Sequence, residues 1–222
     1  MKGLMIKDFR LLAQQKKLAV IYVIVAVMLS FSMDSTFIVA YFSMIGALLV
    51  ITTLSYDAFD NGYPFLMTLP ATPKSYVCAK YLFSFVGLLA FWVVSVILQF
   101  TTLSIRKIPF EVVDMLFQDL VFFPVFLLIV AFMIPISLKF GAEKARLVII
   151  IMGAGCFAIG YFAKDLVEKV ITDEMKISLG KLITKLGSVP QNTIVLVVLG
   201  ISLLILLISM AISIHIMKNK EF

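Results

Sequence analysis

The residues best placed to do chemistry lie between positions 56 and 80, in the stretch YDAFDNGYPFLMTLPATPKSYVCAK. Asp57 and Asp60 are three apart, so a helix would set both carboxylates on one face. Tyr63, Phe65 and Leu66, with Leu69, follow as an apolar ridge. Thr72 or Ser75 suits a helix N-cap, and Pro73 suits the first turn that follows. A short helix that shows acids and aromatics has the chemistry to be gripped by a partner's groove. The plainer alternative is a structured loop packed under the rest of the protein. Covalent chemistry has no equivalent candidates. There is one histidine, His215, and only two cysteines, Cys78 and Cys156, none at metal-ligand or disulfide spacing. Both cysteines are expected to be packing residues. Neither a G-x-x-x-x-G-K-[ST] phosphate loop nor a G-x-S-x-G nucleophile turn occurs. No catalytic residue, metal or cofactor is therefore expected on this chain.

The elements that must hold this stretch are membrane helices. The chain has 222 residues, is 62% hydrophobic and 14% charged, against about 45–50% apolar and about 25% charged for a soluble domain. Its mean hydropathy is +1.11. A span needs about 20 apolar residues, and six runs qualify, at 18–33, 36–55, within 80–104, 120–138, 147–163 and 193–217. The fold class is all-α integral membrane. The net charge of +6 would suit nucleic acid, but its placement follows the positive-inside rule. Lys2, Lys7, Arg10, Lys16 and Lys17 precede the first run. Lys74, Lys80, Lys139, Lys144, Arg146, Lys218 and Lys220 fall on the same side. Asp34, Glu111, Asp114, Asp119 and the mixed-charge stretch 164–185 fall on the other. Both termini are thus expected in the cytosol, and the nucleic-acid reading loses its motive. The first apolar run has no small-residue cleavage site after it, so it reads as a retained span.

Residues 1–17 are amphipathic. On a helical wheel Lys7, Arg10, Gln14 and Lys17 share one face, opposite Met5, Ile6, Phe9, Leu12 and Ala13. Such a helix should lie in the inner interface with its basic face toward anionic headgroups. It either anchors the first span or has a mechanical part of its own.

The centres of the six runs lack Asp, Glu, Lys, Arg and His, which argues against a proton- or ion-coupled carrier. Ser43, Thr52, Thr53, Ser95, Thr101, Ser202 and Ser209 are expected to bond backbone carbonyls or other helices. Gln99 and Trp92 are the residues that would line a pathway, with packing as the default for Trp92. Pro124 and Pro135 should bend the fourth span. Ala154 and Ala158 suit close packing of the fifth, and His215 an interfacial hydrogen bond. The segment 164–192 alternates apolar stripes with Gly180, Gly187 and Pro190. It reads as amphipathic helices at the outer interface or as an ordinary loop.

The pattern Asp57-x-x-Asp60-x-Gly62, followed by Leu69-Pro70-Ala71-Thr72-Pro73-Lys74 and Lys80-Tyr81, resembles the first cytosolic loop of type 2 ABC exporter permeases. One departure is Ala71-Thr72-Pro73, where that family usually carries a Val-Ser-Arg-like run. The layout of the whole chain is similar to the family's too. The resemblance implies a single permease domain, with a cytosolic coupling segment at 56–76 that docks on a separate nucleotide-binding ATPase subunit. That subunit would hold ATP and Mg. Asp57, Asp60, Tyr63, Phe65, Leu66 and Lys74 would carry the docking. Lys139, Glu143 and Lys144 would form a second cytosolic contact. A second copy of the chain would complete the pathway, and 164–192 would cap its outer exit. In layout it is closest to bacterial exporters of amphipathic peptides such as phenol-soluble modulins, which places it in a cell membrane. Rival expectations are a lipid, drug or ion cargo, a self-sufficient channel or carrier, and a scaffold or sensor without transport.

Overall fold

The computed structural model describes residues 2–32, 35–58, 63, 72–141 and 190–220, together with 144, 145, 147, 148, 151, 154, 155, 158 and 161. Every described element is an α-helix. In chain order they are α1 (Lys2–Gln14), α2 (Lys16–Ser32), α3 (Thr36–Ala58), α4 (Pro73–Arg106), α5 (Val112–Leu120), α6 (Phe122–Phe140) and α7 (Gln191–Lys218). Four stretches are long and apolar enough to cross a membrane: Thr36–Asp57, Pro73–Arg106, Val112–Phe140 and Gln191–Lys218. They correspond to the second, third, fourth and sixth expected spans. The first expected span lies in α2, whose apolar part, Val20–Leu29, is shorter. Most of the fifth span and of 164–192 lies outside the described residues, as do Asp60, Phe65, Leu66 and Glu143.

α4 is much longer than the apolar run that announced it. Its 34 residues extend about 51 Å at about 1.5 Å per residue, against about 30 Å of hydrocarbon. Its start is set by local chemistry. Thr72 Oγ1 accepts from the Ser75 N–H at 3.2 Å, and Ser75 Oγ accepts from the Thr72 N–H at 3.1 Å. This is a reciprocal capping box, with Pro73 where a missing N–H costs nothing. Its end is set by Lys107, which adopts φ 54° and turns its N–H back onto the Leu103 and Ser104 carbonyls.

The two prolines act differently. Pro124 has no N–H for the Leu120 carbonyl, so the helical hydrogen-bond ladder is interrupted at Val121 between α5 and α6, while the Val121 backbone stays right-handed helical at φ −59°, ψ −35°. Pro135 stays inside α6. It leaves the Ala131 carbonyl without its usual partner, and Ser209 Oγ of α7 donates to that carbonyl instead. Tyr81 Oη of α4 lies 2.6 Å from Ser209 Oγ and 2.8 Å from Ser213 Oγ. With the Ser209 proton committed to Ala131, Tyr81 donates to Ser209 and accepts from Ser213. Three helices are thus pinned by one buried polar chain. Five of the other membrane hydroxyls behave as expected of them. Thr52, Thr53, Ser95, Thr101 and Ser202 donate to carbonyls three or four residues back. Ser43 Oγ has no partner among the described residues.

The core lies where α3, α4, α6 and α7 meet. Leu54, Tyr76, Phe83, Leu127, Val130, Ile134, Leu138 and Met217 are nearly or fully buried there. The opposite face of α7 is open, with Leu204 and Ile208 each 61% exposed. Lipid makes that exposure free of cost. Ala26 is the buried residue among the described side chains of α2.

α3 and α4 touch closely at Gly46. A Cβ there would stand 2.8 Å from Phe91 Cβ and 2.9 Å from Phe91 Cγ. Overpacking of this kind costs about 1–3 kcal/mol. Gly46→Ala is therefore expected to lower the thermal unfolding midpoint of the purified protein. In a Phe91→Ala background the loss should be smaller but not absent, because the ring atoms are gone while the Cβ at 2.8 Å remains.

Candidate functional site

The overhang of α4 carries Tyr76 and Lys80 to the end of the bundle where α3 finishes and α1 crosses. Lys80 Nζ lies 2.8 Å from Asp8 Oδ1 of α1 and 2.7 Å from Asp57 Oδ2 of α3. It also donates to Thr53 Oγ1 at 3.3 Å. Lys7 Nζ pairs with Asp57 Oδ1 and stands 3.5 Å from Asp8. The Tyr76 hydroxyl donates to Asp57 Oδ2 at 2.8 Å. The side chains of Asp8, Lys80 and Asp57 are 1%, 3% and 4% exposed, and that of Lys7 is 31% exposed. Two lysines thus meet two aspartates, and the cluster is formally neutral. Each charge taken from water carries a desolvation cost of several kcal/mol, repaid only by close partners. Removing one partner leaves that cost uncompensated.

The residues flanking the segment between α3 and α4 belong to the same cluster. Asp57 stands just before it, and Tyr76 and Lys80 stand just after. Tyr63, its described residue, is 6% exposed and packs edge-on to Tyr76, with ring centroids 6.1 Å apart. Burial, and then the Asp57 carboxylate, raises the Tyr63 hydroxyl above its ordinary range, so Tyr63 is a neutral packing residue and not an acid or base. The chain's other end reaches the same place. Lys220 Nζ sits 4.6 Å from the Tyr63 ring centre and donates to the Leu138 carbonyl at 2.8 Å. That carbonyl is among those a helix C-terminus leaves open, and a lysine suits it. Burial lowers the Lys220 ammonium from its usual value. Both terminal segments therefore meet at one end of the bundle, together with Tyr63.

This geometry redistributes the residues expected to dock a partner. Asp57 and Tyr63 face inward, so in this structure neither offers its side chain to a surface. Lys74 is exposed, as are Lys139 and Lys144. Lys139 Nζ lies 5.2 Å from the Phe140 ring centre. Asp8 was missed altogether. The available signal was its position between Leu4 and Leu12, at four-residue steps on the stripe of α1 that packs against the core. An acid inside such a stripe needs a buried base, and Lys80 is that base.

A third buried carboxylate sits farther inside a spanning stretch than the apolar run placed it. Asp119 lies at the end of α5, inside the Val112–Phe140 stretch, and is 0% exposed. With its amide turned to donate, Gln99 places Nε2 2.7 and 3.0 Å from the two Asp119 oxygens. Trp92 Nε1 donates to the Asp119 backbone carbonyl at 2.9 Å. Gln99 and Trp92 thus converge on Asp119. The apolar run stopped short of Asp119, whereas the helix does not. His215 meets Asn219 at 3.0 Å, and Cys78 is a free thiol. No group of metal-ligating side chains occurs among the described residues.

A family model described as ABC-2 family transporter protein matches residues 3–218. No curated protein matches the chain, and no solved structure does.

The cluster makes a direct stability prediction. Lys80→Met leaves Asp8 and Asp57 buried with Lys7 alone, and should cost about 3–5 kcal/mol. Lys74→Met, at an exposed position on the same helix, should stay within about 0.5 kcal/mol. Unfolding of both variants in one detergent checks this. A Lys80→Met protein as stable as the parent would contradict the buried pairing.

Proposed function

The chain belongs to the ABC-2 family of transporter proteins, and we propose that it is the permease half of an exporter driven by a separate ATPase subunit. The ATPase binds ATP and Mg and docks on the cytosolic segment 56–76, with Phe65, Leu66 and Asp60 as surface contacts. Asp57 does not dock. It ties the incoming end of that segment to Lys80 at the outgoing end and to Lys7 on α1, so a push on the segment moves three helices together. The observation that carries this reading is the buried cluster joining α1, α3 and α4 around the one connection rich in partner-binding chemistry. Two copies form the pathway, both termini lie in the cytosol, and the cargo is a small amphipathic peptide. The support for the cargo is the layout shared with peptide exporters, together with wide apolar helix faces open to lipid.

A specific observation favours one rival. A buried carboxylate in a span, as at Asp119, is the usual equipment of ion-coupled carriers. A self-sufficient carrier would move cargo in liposomes on an ion gradient without the ATPase, and would lose that flux in Asp119→Asn.

The docking and transmission roles separate by mutation. Phe65→Ala with Leu66→Ala should weaken capture of the ATPase by at least tenfold, as removal of interface anchors does. Asp57→Asn should leave capture intact and abolish stimulation of ATP hydrolysis by cargo. Full stimulation in Asp57→Asn, or full capture in the double variant, would sink the respective half of the proposal.

A further inference from the structure

α1 carries three faces. Leu4, Asp8 and Leu12 turn into the protein. Ile6 and Phe9 are 53% and 47% exposed, and with Ala13 they make an apolar strip open to the outside. Gly3, Lys7, Arg10 and Gln14, at three- and four-residue steps, form the remaining face. With Ile6 and Leu11 they line a surface recess of about 280 Å³. No Cβ-blocking atom lies within 4 Å of Gly3, so the recess is open at that end.

The charges of this recess are unequal. Lys7 is matched by Asp57 and Asp8. Arg10 is exposed and pairs with no acid among the described residues. The recess therefore presents a surplus positive charge, donor-rich side chains at Lys7, Arg10 and Gln14, and an apolar lip at Ile6. We propose that it is a binding site for the headgroup of an anionic phospholipid. The guanidinium of Arg10 and the ammonium of Lys7 hold the phosphate oxygens, Gln14 donates to the headgroup, and the acyl chains run along Ile6 and Phe9. Charge complementarity selects this occupant, and the apolar strip beside the recess selects a lipid over a free anion. Lys7 makes the site consequential. One ammonium has three donors, so it can hold a phosphate oxygen and Asp57 at once, and a bound lipid would brace the seat of α1 on the cluster. The inference rests on the chain spanning a membrane and is independent of the ATPase.

Native mass spectrometry of the detergent-solubilised protein, titrated with phosphatidylglycerol or phosphatidylcholine, tests it. Retention of phosphatidylglycerol over phosphatidylcholine is expected. Arg10→Gln should weaken that retention about fivefold, the effect of one basic residue at an anionic surface. Lys107→Gln, at the far end of α4, should not change it, and excess inorganic phosphate should not displace the lipid. Arg10 is exposed, so its variant is expected to fold like the parent. Equal binding of the two lipids, or undiminished binding in Arg10→Gln, would overturn the proposal. So would displacement by inorganic phosphate, which assigns the recess to a free anion. If Arg10→Gln keeps its lipid but loses an acidic protein partner, the recess is a protein contact and the lipid assignment fails.

Discussion

Lys80 is the side chain on which the α1 end of this bundle depends. It sits on the overhang of α4, nearly out of reach of water, and binds one carboxylate from α1 and another from α3. A buried ammonium is tolerable only with such partners. The amphipathic helix α1 could otherwise float in the interface, held by nonspecific burial. Asp8 fixes its position and rotation, because Leu4, Asp8 and Leu12 must all face inward together.

The next residue extends the same joint to the other side of the bundle. Tyr81 bonds Ser209 and Ser213 of α7, and Ser209 holds the Ala131 carbonyl that Pro135 leaves open in α6. Two adjacent residues of α4 thus bind three neighbouring helices directly, one by ion pairs and the other by hydroxyls, and a fourth, α6, through Ser209. Lys220 adds the chain's C-terminal segment to this end, through Leu138 and the Tyr63 ring. The helix ends that meet here form a network in which charge and hydrogen bonding, not apolar area, choose the arrangement. Apolar area cannot make that choice in lipid, where hydrocarbon outside the protein is as favourable as hydrocarbon inside.

Much of this was legible in the residues alone. Long apolar runs located four of the membrane helices, because hydropathy is a direct statement about lipid. Thr72, Pro73 and Ser75 announced the start of α4, because capping is local chemistry. The interior of the site was not legible. Hydropathy ended the third span near Lys80 and the fourth near Asp119, so both residues looked like interfacial charges. Helices continue past apolar runs when a polar residue finds a partner, and the partners here are 72 residues away for Lys80 and Asp8, or on a different helix for Asp119 and Gln99. The inward turn of Asp57 and Tyr63 is illegible in the sequence for the same reason. A sequence shows that an acid and an aromatic are present, and only tertiary packing shows which way they turn.

The most direct measurement is a double-mutant cycle between Asp8 on α1 and Lys80 on α4, using Asp8→Asn, Lys80→Met and their combination, with unfolding free energies taken in one detergent. If the ion pair seats α1 on the bundle, the two losses fall short of additive and the coupling lies toward the upper part of the range of about 0.5–3 kcal/mol for contacting residues. Losses that add to within about 0.3–0.5 kcal/mol would mean that Asp8 and Lys80 are independent, and that α1 is held by something other than the buried charge cluster.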